Sequence, residues 1–216
     1  MDLTSPFEAL FPTVDSSVLS VLLGSRKPRT GREVAREAKR SQRATKLVLD
    51  RLVDHGLVFR EELGRSQAYT LNRDHVAARP LAQLANLRLE LFDHLRATVG
   101  TWRLQPGHVS VFGSAARGDG GLRSDIDIFL VRPHEIEEDD EGWREQVEAL
   151  ADAVFGWTGN HAGIAEVSDE DLDRLRREQP AILESLRADA VHIAGHPIRE
   201  LLRGGMNGKA KPNPSL

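Results

Sequence analysis

One stretch of the sequence, residues 109–131, constrains this chain more than any other. It reads VSVFGSAARGDGGLRSDIDIFLV. Residues 109–112 are apolar and rich in β-formers, which predicts a strand, and Gly113 and Ser114 then break the run. Residues 115–117 begin a short helix, glycines at 118, 120 and 121 loosen the chain, and residues 125–131 form a second strand. The expected unit is strand, turn, short helix, loop and strand.

The second strand contains a pair of acidic residues, Asp125 and Asp127. Side chains in a strand alternate between faces, so both carboxylates point to one side. Two carboxylates side by side repel each other, and a fold that keeps such a pair usually supplies a divalent cation. Hard oxygen ligands of this kind suit Mg²⁺, which prefers few carboxylates, several waters and a substrate phosphate.

An anion site is expected opposite the acidic pair. Gly113 lets the backbone turn tightly, and Ser114 opens a helix whose unpaired N–H groups and dipole favour phosphate oxygens. A cation site that faces an anion site of this kind suits a ligand that carries phosphate. The alternative is an acidic strand edge that faces solvent beside an ordinary glycine-rich loop.

The spacing Gly113-Ser114, ten residues, then Asp125-Ile126-Asp127 resembles the signature of the nucleotidyltransferase superfamily that includes DNA polymerase beta. The intervening Ala-Arg-Gly-Asp and Arg-Ser-Asp segments resemble in particular the minimal nucleotidyltransferases of prokaryotes. The resemblance implies an enzyme that transfers NMP from NTP to an acceptor hydroxyl with Mg²⁺ or Mn²⁺ as cofactor. It places the metal on Asp125 and Asp127.

The resemblance also requires a third acidic residue on a later strand. Glu166, within the apolar segment 161–167, fits this position and would bind metal or accept the proton of the acceptor hydroxyl; the alternative is an exposed glutamate on an edge strand. By the same likeness Ser114 and Ser124 would hold the β- and γ-phosphates. Arg117 would either contact phosphate or form a surface salt bridge, for example with Asp119.

Charge divides the chain into two unlike parts. Residues 24–73 contain thirteen Lys and Arg against six Asp and Glu, a net charge of +7. Because the whole chain has a net charge of −4, the remaining residues together have a net charge of −11. The sequence has no cysteine, which excludes disulfides, thiolate zinc sites and cysteine nucleophiles. It has no apolar run of membrane-spanning length, and its first residues do not form a secretion signal. These features agree with a cytoplasmic location.

The basic part predicts a winged helix-turn-helix. Helices are expected at 16–23, at 30–38 with Thr30 as N-cap, and at 41–55 with Ser41 as N-cap, followed by strands at 57–60 and 67–71 joined through Gly64. The third helix would bury one apolar stripe: Ala44, Leu47, Val48, Leu52 and Val53. The segment LVDHGLV at 52–58, followed by a hairpin that ends in YTLN, closely resembles the MarR- and ArsR-like transcriptional regulators.

In that geometry the third helix would enter a major groove of double-stranded DNA. The residues expected to contact DNA are Gln42, Arg43, Thr45 and Lys46 on this helix and Arg65 at the wing tip. A homodimer is expected because this class of protein reads paired half-sites. The alternative is that the domain mediates protein contacts.

The predicted fold class is α+β. The expected parts are a winged helix-turn-helix domain at 1–75, a linker helix at 76–104, a nucleotidyltransferase α/β domain with a small mixed sheet at 105–203, and a disordered tail at 204–216. Leucines at three- and four-residue spacing predict that the linker is one helix over 75–98. We find no internal repeat.

Two functions from different classes fit these observations. The first is a DNA-binding transcriptional regulator fused to a Mg²⁺-dependent nucleotidyltransferase. Resemblance implies that it is an antitoxin that modifies a HEPN-type toxin partner; a protein, a small molecule or a nucleic acid are all open as the acceptor. The second is a non-enzymatic transcription factor whose nucleotidyltransferase-like domain senses a nucleotide.

Overall fold

The structure is a computed structural model that describes residues 1–64, 66–178 and 181–203, with backbone only at 173 and 176. The chain divides into two compact units, Met1–Glu90 and Leu91–Leu216. None of the helices in the described ranges is long and apolar enough to cross a membrane. The predicted tail, 204–216, lies outside the described residues.

The first unit contains helices followed by a small antiparallel sheet. Its elements are α1 (Pro6–Leu10), α2 (Val14–Gly24), β1 (Arg29–Thr30), α3 (Gly31–Glu37), α4 (Gln42–Asp54), β2 (Val58–Leu63), β3 (Ser66–Leu71) and α5 (Ala78–Ala85). The strands pair in the order β1-β3-β2. The order of three helices and a hairpin is as predicted, and Gly64 lies at the hairpin turn with a φ of +62°.

Local capping explains where the helices of this unit begin. Thr30 and Glu33 form a reciprocal capping box at the start of α3, and the Ser41 side chain accepts a hydrogen bond from the backbone N–H of Ala44 at the start of α4. Both predicted N-caps are confirmed. The core of the unit forms between α2, α3, α4 and the hairpin, around Val18, Leu49 and Tyr69.

The buried stripe of α4 differs from the prediction. Leu47 is 66% exposed, whereas Thr45, Val48, Leu49 and Leu52 are buried. These four positions follow the 3.6-residue helical period, but they are rotated by about one residue from the predicted stripe. Two overlapping apolar patterns run along this helix, and packing against α2 and α3 selects between them.

The predicted linker helix is two helices. Helix α5 ends at Ala85 and α6 (Leu87–Gly100) begins after Asn86, whose side-chain amide donates to the carbonyl of Ala82 at 2.6 Å. An asparagine that bonds its own backbone competes with helix propagation, so a continuous leucine pattern does not prevent the break. The boundary between the two units falls inside α6.

The second unit is built on a four-stranded mixed sheet. After α6 its elements are β4 (His108–Phe112), α7 (Gly113–Arg117), β5 (Ile126–Arg132), α8 (Glu141–Thr158), β6 (Ala162–Ser168), α9 (Asp169–Glu178), α10 (Ala181–Asp189), β7 (Val191–Gly195) and α11 (Ile198–Arg203). The strand order is β6-β5-β4-β7; β5 and β6 are parallel, and the other pairs are antiparallel. The predicted small mixed sheet is present.

The two faces of this sheet pack against different helices. Phe129 and Val131 of β5 point to the face covered by α9, α10 and α11, where Leu183 and Leu186 are fully buried or nearly so. On the opposite face, the buried Trp143 of α8 donates its indole N–H to Glu166 of β6. Each residue of β5 therefore has a defined side, and this decides which side chains can meet.

Candidate active site

A tight corner follows the first strand of the mixed sheet. Gly113 ends β4 with a φ of +66°, a left-handed conformation that favours glycine, and begins the five-residue helix α7. Its neighbour Phe112 pairs with Asp127 in the antiparallel register. A Cβ atom built on Gly113 would lie 2.5 Å from Oδ2 of Asp127. Glycine is therefore required at the corner both for the backbone conformation and for the space it leaves.

A second glycine lies on the other side of the same carboxylate. Gly163 of β6 pairs with Asp127 in the parallel register, and a Cβ atom there would lie 3.3 Å from Oδ1. The carboxylate of Asp127 thus lies over two glycines, one directly after β4 and one in β6. Sequence reasoning missed Gly163, although a glycine inside a strand often marks a close approach.

The two aspartates of the pair lie on the same side of the sheet. Asp125 is exposed just before β5, and its Cβ lies 3.9 Å from the position that a Cβ on Gly163 would take, close to Asp127. Partial burial raises the pKa of Asp127, the negative charge of Asp125 raises it further, and Arg117 opposes the rise. Such a donor set fits a divalent cation, because a cation removes the repulsion and hard oxygen ligands suit Mg²⁺.

Two serines converge on the glycine-rich loop that links α7 to β5. A Cβ on Gly120 would lie 2.9 Å from Oγ of Ser114 and 3.5 Å from Cβ of Ser124. Oγ of Ser124 also accepts a hydrogen bond from the backbone N–H of Gly121 at 2.9 Å. Both serines, for which the resemblance implies a role in holding phosphate, therefore lie beside Gly120.

Arg117 is held by two carboxylates. Its Nε lies 3.0 Å from Asp119, and one of its terminal nitrogens lies 2.8 Å from Asp189 at the end of α10. Both hydrogen bonds raise the pKa of Arg117 above its already high value. Of the two roles predicted for Arg117, the structure contains the salt bridge to Asp119, while a phosphate contact remains a prediction. Sequence reasoning missed Asp189, which no local motif marks.

Glu166 lies away from the aspartate pair, contrary to the prediction. In the parallel register it faces Leu130, three residues beyond Asp127, and an odd separation along a strand reverses the side. Its Oε1 accepts hydrogen bonds from Arg132 at 2.8 Å and from Trp143 at 3.0 Å. Within the described residues no group of three or more His, Cys, Asp or Glu side chains is arranged to hold a metal.

Pairing explains why the predicted cluster of three carboxylates fails. An acid between two apolar residues identifies a strand position, but it does not fix the register against the neighbouring strand. The residues of β6 on the side of Asp127 are Gly163, Ala165 and Val167, and none of them has a carboxylate. Glu166 instead neutralises the buried Arg132.

The candidate DNA-contacting residues lie in the first unit, around an open groove of about 670 Å³ between the start of α3, α4 and β3. Gln42, Arg43 and Lys46 line this groove and are exposed; Lys46 also pairs with Asp50 at 2.5 Å. Thr45 is fully buried, which corrects its predicted DNA contact. Arg65 lies outside the described residues.

Comparison with known families concerns the second unit. Residues 100–206 match the family model of the nucleotidyltransferase domain. This part of the chain therefore contains a nucleotidyltransferase domain. The matched range includes the glycine corner at 113, the aspartate pair and the whole mixed sheet.

Comparisons with individual proteins add little to this assignment. No curated protein matches the chain. Among solved structures, the chain is similar to human N-acetylserotonin methyltransferase in complex with SAM, at 22% identity, with 45% of this chain and 31% of that chain covered and a TM-score of 0.28. A TM-score of this size does not indicate a common fold, and this chain spans less than a third of that protein.

Proposed function

We propose that the nucleotidyltransferase domain transfers a nucleoside monophosphate from a nucleoside triphosphate to an acceptor hydroxyl. The observation that carries the proposal is the position of Asp127, whose carboxylate lies over Gly113 and Gly163 on the same side of the sheet as Asp125. Beside it Ser114 and Ser124 converge at a glycine-rich corner suited to the oxygens of a polyphosphate.

Asp125 and Asp127 would hold the Mg²⁺ or Mn²⁺, and the bound metal would neutralise the triphosphate and stabilise charge on the reacting oxygens. The hydroxyls of Ser114 and Ser124 would hold the β- and γ-phosphates. In the transfer, the acceptor oxygen forms a bond to the α-phosphorus, the bond to pyrophosphate breaks, and the hydroxyl proton leaves to water. Glu166 has no part in this scheme because it faces the opposite side of the sheet.

Label transfer tests this proposal. The purified protein is incubated with α-labelled ATP, CTP, GTP or UTP, Mg²⁺ and a cell extract, alongside the double variant Asp125→Ala/Asp127→Ala. We expect metal-dependent labelling of an acceptor by the wild type and none by the variant. Labelling that survives in the variant contradicts the assignment of the site.

A nucleotide sensor is the second candidate function, and two observations favour it. Glu166 does not reach the aspartate pair, and Arg117 is already paired with Asp119 and Asp189. Such a domain would bind the triphosphate and leave its α-phosphate intact. Nucleotide binding without label transfer, together with a nucleotide-dependent change in DNA binding, would support the sensor over the transferase.

We further propose that the first unit is a winged helix-turn-helix that binds double-stranded DNA as a homodimer. The order of α2, α3, α4 and the β2–β3 hairpin, the excess of +7 charges over residues 24–73, and the exposed Gln42, Arg43 and Lys46 support this proposal. A mobility-shift assay on the promoter of the protein's own gene tests DNA binding, and sedimentation tests the dimer. A module for protein contacts is the alternative, and it predicts no shift.

The proposed biological role is that of an antitoxin that represses its own operon and modifies a HEPN-type partner. Support comes from the combination of a nucleotidyltransferase domain with a basic helical unit in one chain. Both DNA and nucleoside triphosphates are present in the cytoplasm, where such a protein would act. The first test of this role is whether the neighbouring gene encodes a HEPN-type protein. The second is a label transfer assay in which that protein is offered as the acceptor.

A further inference from the structure

A buried asparagine lies at the turn between α8 and β6. Asn160 is 5% exposed and follows Gly159, which ends α8 with a φ of +71°. Its backbone N–H donates to the side-chain oxygen of Thr158 at 3.0 Å, which holds the backbone of the turn at this residue. Buried amides are retained in proteins when their hydrogen bonds are made.

The side chain of Asn160 bonds the loop that precedes the aspartate pair. Its Nδ2 donates to the carbonyl of Ser124 at 2.8 Å and lies 3.4 Å from the carbonyl of Leu122. The residue that follows it, His161, accepts a hydrogen bond through its carbonyl from the backbone N–H of Ile126 at 2.8 Å. Both contacts join the loop and the start of β5 to the start of β6.

These two bonds lie on either side of Asp125. The carbonyl that precedes Asp125 is held by Asn160, and the amide that follows Asp125 is held by His161. Asp125 lies outside β5, so the regular strand ladder does not fix it. The side-chain oxygen of Ser124 also accepts a hydrogen bond from the backbone N–H of Gly121, but this contact is within the loop and does not connect it to the sheet.

We infer that Asn160 is a positioning residue that fixes Asp125 and Ser124 for metal and phosphate. The inference rests on the proposed function, because it assigns Asp125 to the metal. Loss of the amide releases the loop on one side of Asp125 while the glycines around Asp127 stay in place. The carbonyls of Ser124 and Leu122, which lose the amide of Asn160, can then bond water. We therefore expect a local effect rather than unfolding.

The test uses Asn160→Leu, an apolar side chain of similar shape, with Asn160→Ala as a second variant in case the first does not fold. The matched control is Gln146→Ala, because the Gln146 amide also holds a loop to α8, through Arg103 and Leu104. Three quantities are measured in the full chain: Mn²⁺ binding by electron paramagnetic resonance, hydrogen exchange of residues 119–125, and the Mg²⁺ concentration for half-maximal label transfer.

One neutral hydrogen bond contributes roughly a three- to tenfold change in an equilibrium, so we expect Mn²⁺ binding and the Mg²⁺ requirement to weaken by that factor in the Asn160 variants. Exchange at 119–125 should quicken, kcat at saturating Mg²⁺ should stay close to that of the wild type, and Gln146→Ala should change none of these. Unchanged metal binding and unchanged exchange in both Asn160 variants would overturn the inference.

Failure of the proposed function can be distinguished from failure of the Asn160 inference. If the wild type binds Mn²⁺ but transfers no label, the transferase proposal is wrong. The Asn160 inference is then still decided by metal binding and hydrogen exchange, neither of which needs an acceptor.

Discussion

Gly113 approaches Asp127 so closely that a Cβ atom on the glycine would lie 2.5 Å from Oδ2 of the aspartate. Gly113 also has a φ of +66°. The corner and the carboxylate therefore depend on each other, since any side chain at 113 strains the backbone and displaces Asp127.

The first prediction follows from this contact. Gly113→Ala should lower label transfer roughly 10²-fold, because a displacement of about 1 Å at a reacting group has an effect of that size. The control is Gly156→Ala in α8, where an added Cβ meets nothing within 4 Å. Transfer is measured at saturating nucleotide; equal activity of the two variants would contradict the proposed role of the corner.

The second prediction separates Glu166 from the aspartate pair. Glu166→Gln should leave label transfer close to that of the wild type but lower the free energy of unfolding by about 1 to 3 kcal/mol, because buried Arg132 loses a charged hydrogen-bond partner. Asp127→Asn should abolish transfer. Urea unfolding and the transfer assay are run on both variants. Loss of transfer in Glu166→Gln with unchanged unfolding would place Glu166 at the site.

The third prediction concerns pH and His108, which is fully buried in β4. Burial lowers the pKa of His108 from 6.5 to about 4, although its hydrogen bond to the carbonyl of His196 opposes the change. The carbonyl can only accept, so Nδ1 is assigned the proton, and Nε2 has no partner among the described residues. Between pH 6.5 and 4 the unfolded chain binds a proton that the folded chain does not.

Stability from His108 is therefore fully present above about pH 6.5 and is lost as the pH falls towards 4, by at most about 3 kcal/mol. His108→Asn places an amide N–H near the position of Nδ1 and does not titrate. The free energy of unfolding of this variant should therefore fall less between pH 7.5 and pH 5 than that of the wild type. All three tryptophans, Trp102, Trp143 and Trp157, belong to the second unit, so fluorescence during urea unfolding reports on it. Identical pH profiles would contradict the prediction.

The fourth prediction concerns the open groove between the start of α3, α4 and β3. Arg43→Ala/Lys46→Ala should abolish binding to the protein's own promoter and leave the melting temperature nearly unchanged, because both side chains are exposed. Binding by the wild type should weaken with salt, since phosphate contacts release counterions. A mobility shift at several salt concentrations provides the measurement. Persistent binding by the double variant would favour the protein-contact alternative.

The fifth prediction concerns Thr45, which is buried with no partner for Oγ1 among the described residues. Thr45→Val removes this unpaired hydroxyl while retaining a similar shape, so it should stabilise the first unit by about 1 kcal/mol. DNA binding should be unchanged. Thermal unfolding by circular dichroism tests the gain, and a loss of DNA binding would return Thr45 to the predicted contact surface.

Local patterns in the sequence predicted most of the strands, helices and caps. Thr30 and Ser41 cap α3 and α4 as predicted, and Asp125 and Asp127 lie on the same side, although Asp125 precedes the regular strand. These features depend on residues close in sequence, where period and hydrogen-bonding chemistry decide the structure.

Features that depend on pairing between distant segments were not predicted. The side on which Glu166 lies follows from the register of β6 against β5, and the burial of Thr45 follows from the packing of α4 against its neighbours. Likewise, the role of Asp189 depends on the end of α10 meeting Arg117. A single sequence does not determine the register between two strands or the contacts between elements that are distant in the chain.

The carboxylate of Asp127 links two backbone positions, 113 and 163, that are fifty residues apart in the chain. An added Cβ at 113 would lie 2.5 Å from this carboxylate and one at 163 would lie 3.3 Å from it, so a change at either position reaches the carboxylate although the two are far apart in the sequence. The place of Asp127 is thereby set by two residues that contribute no side chain.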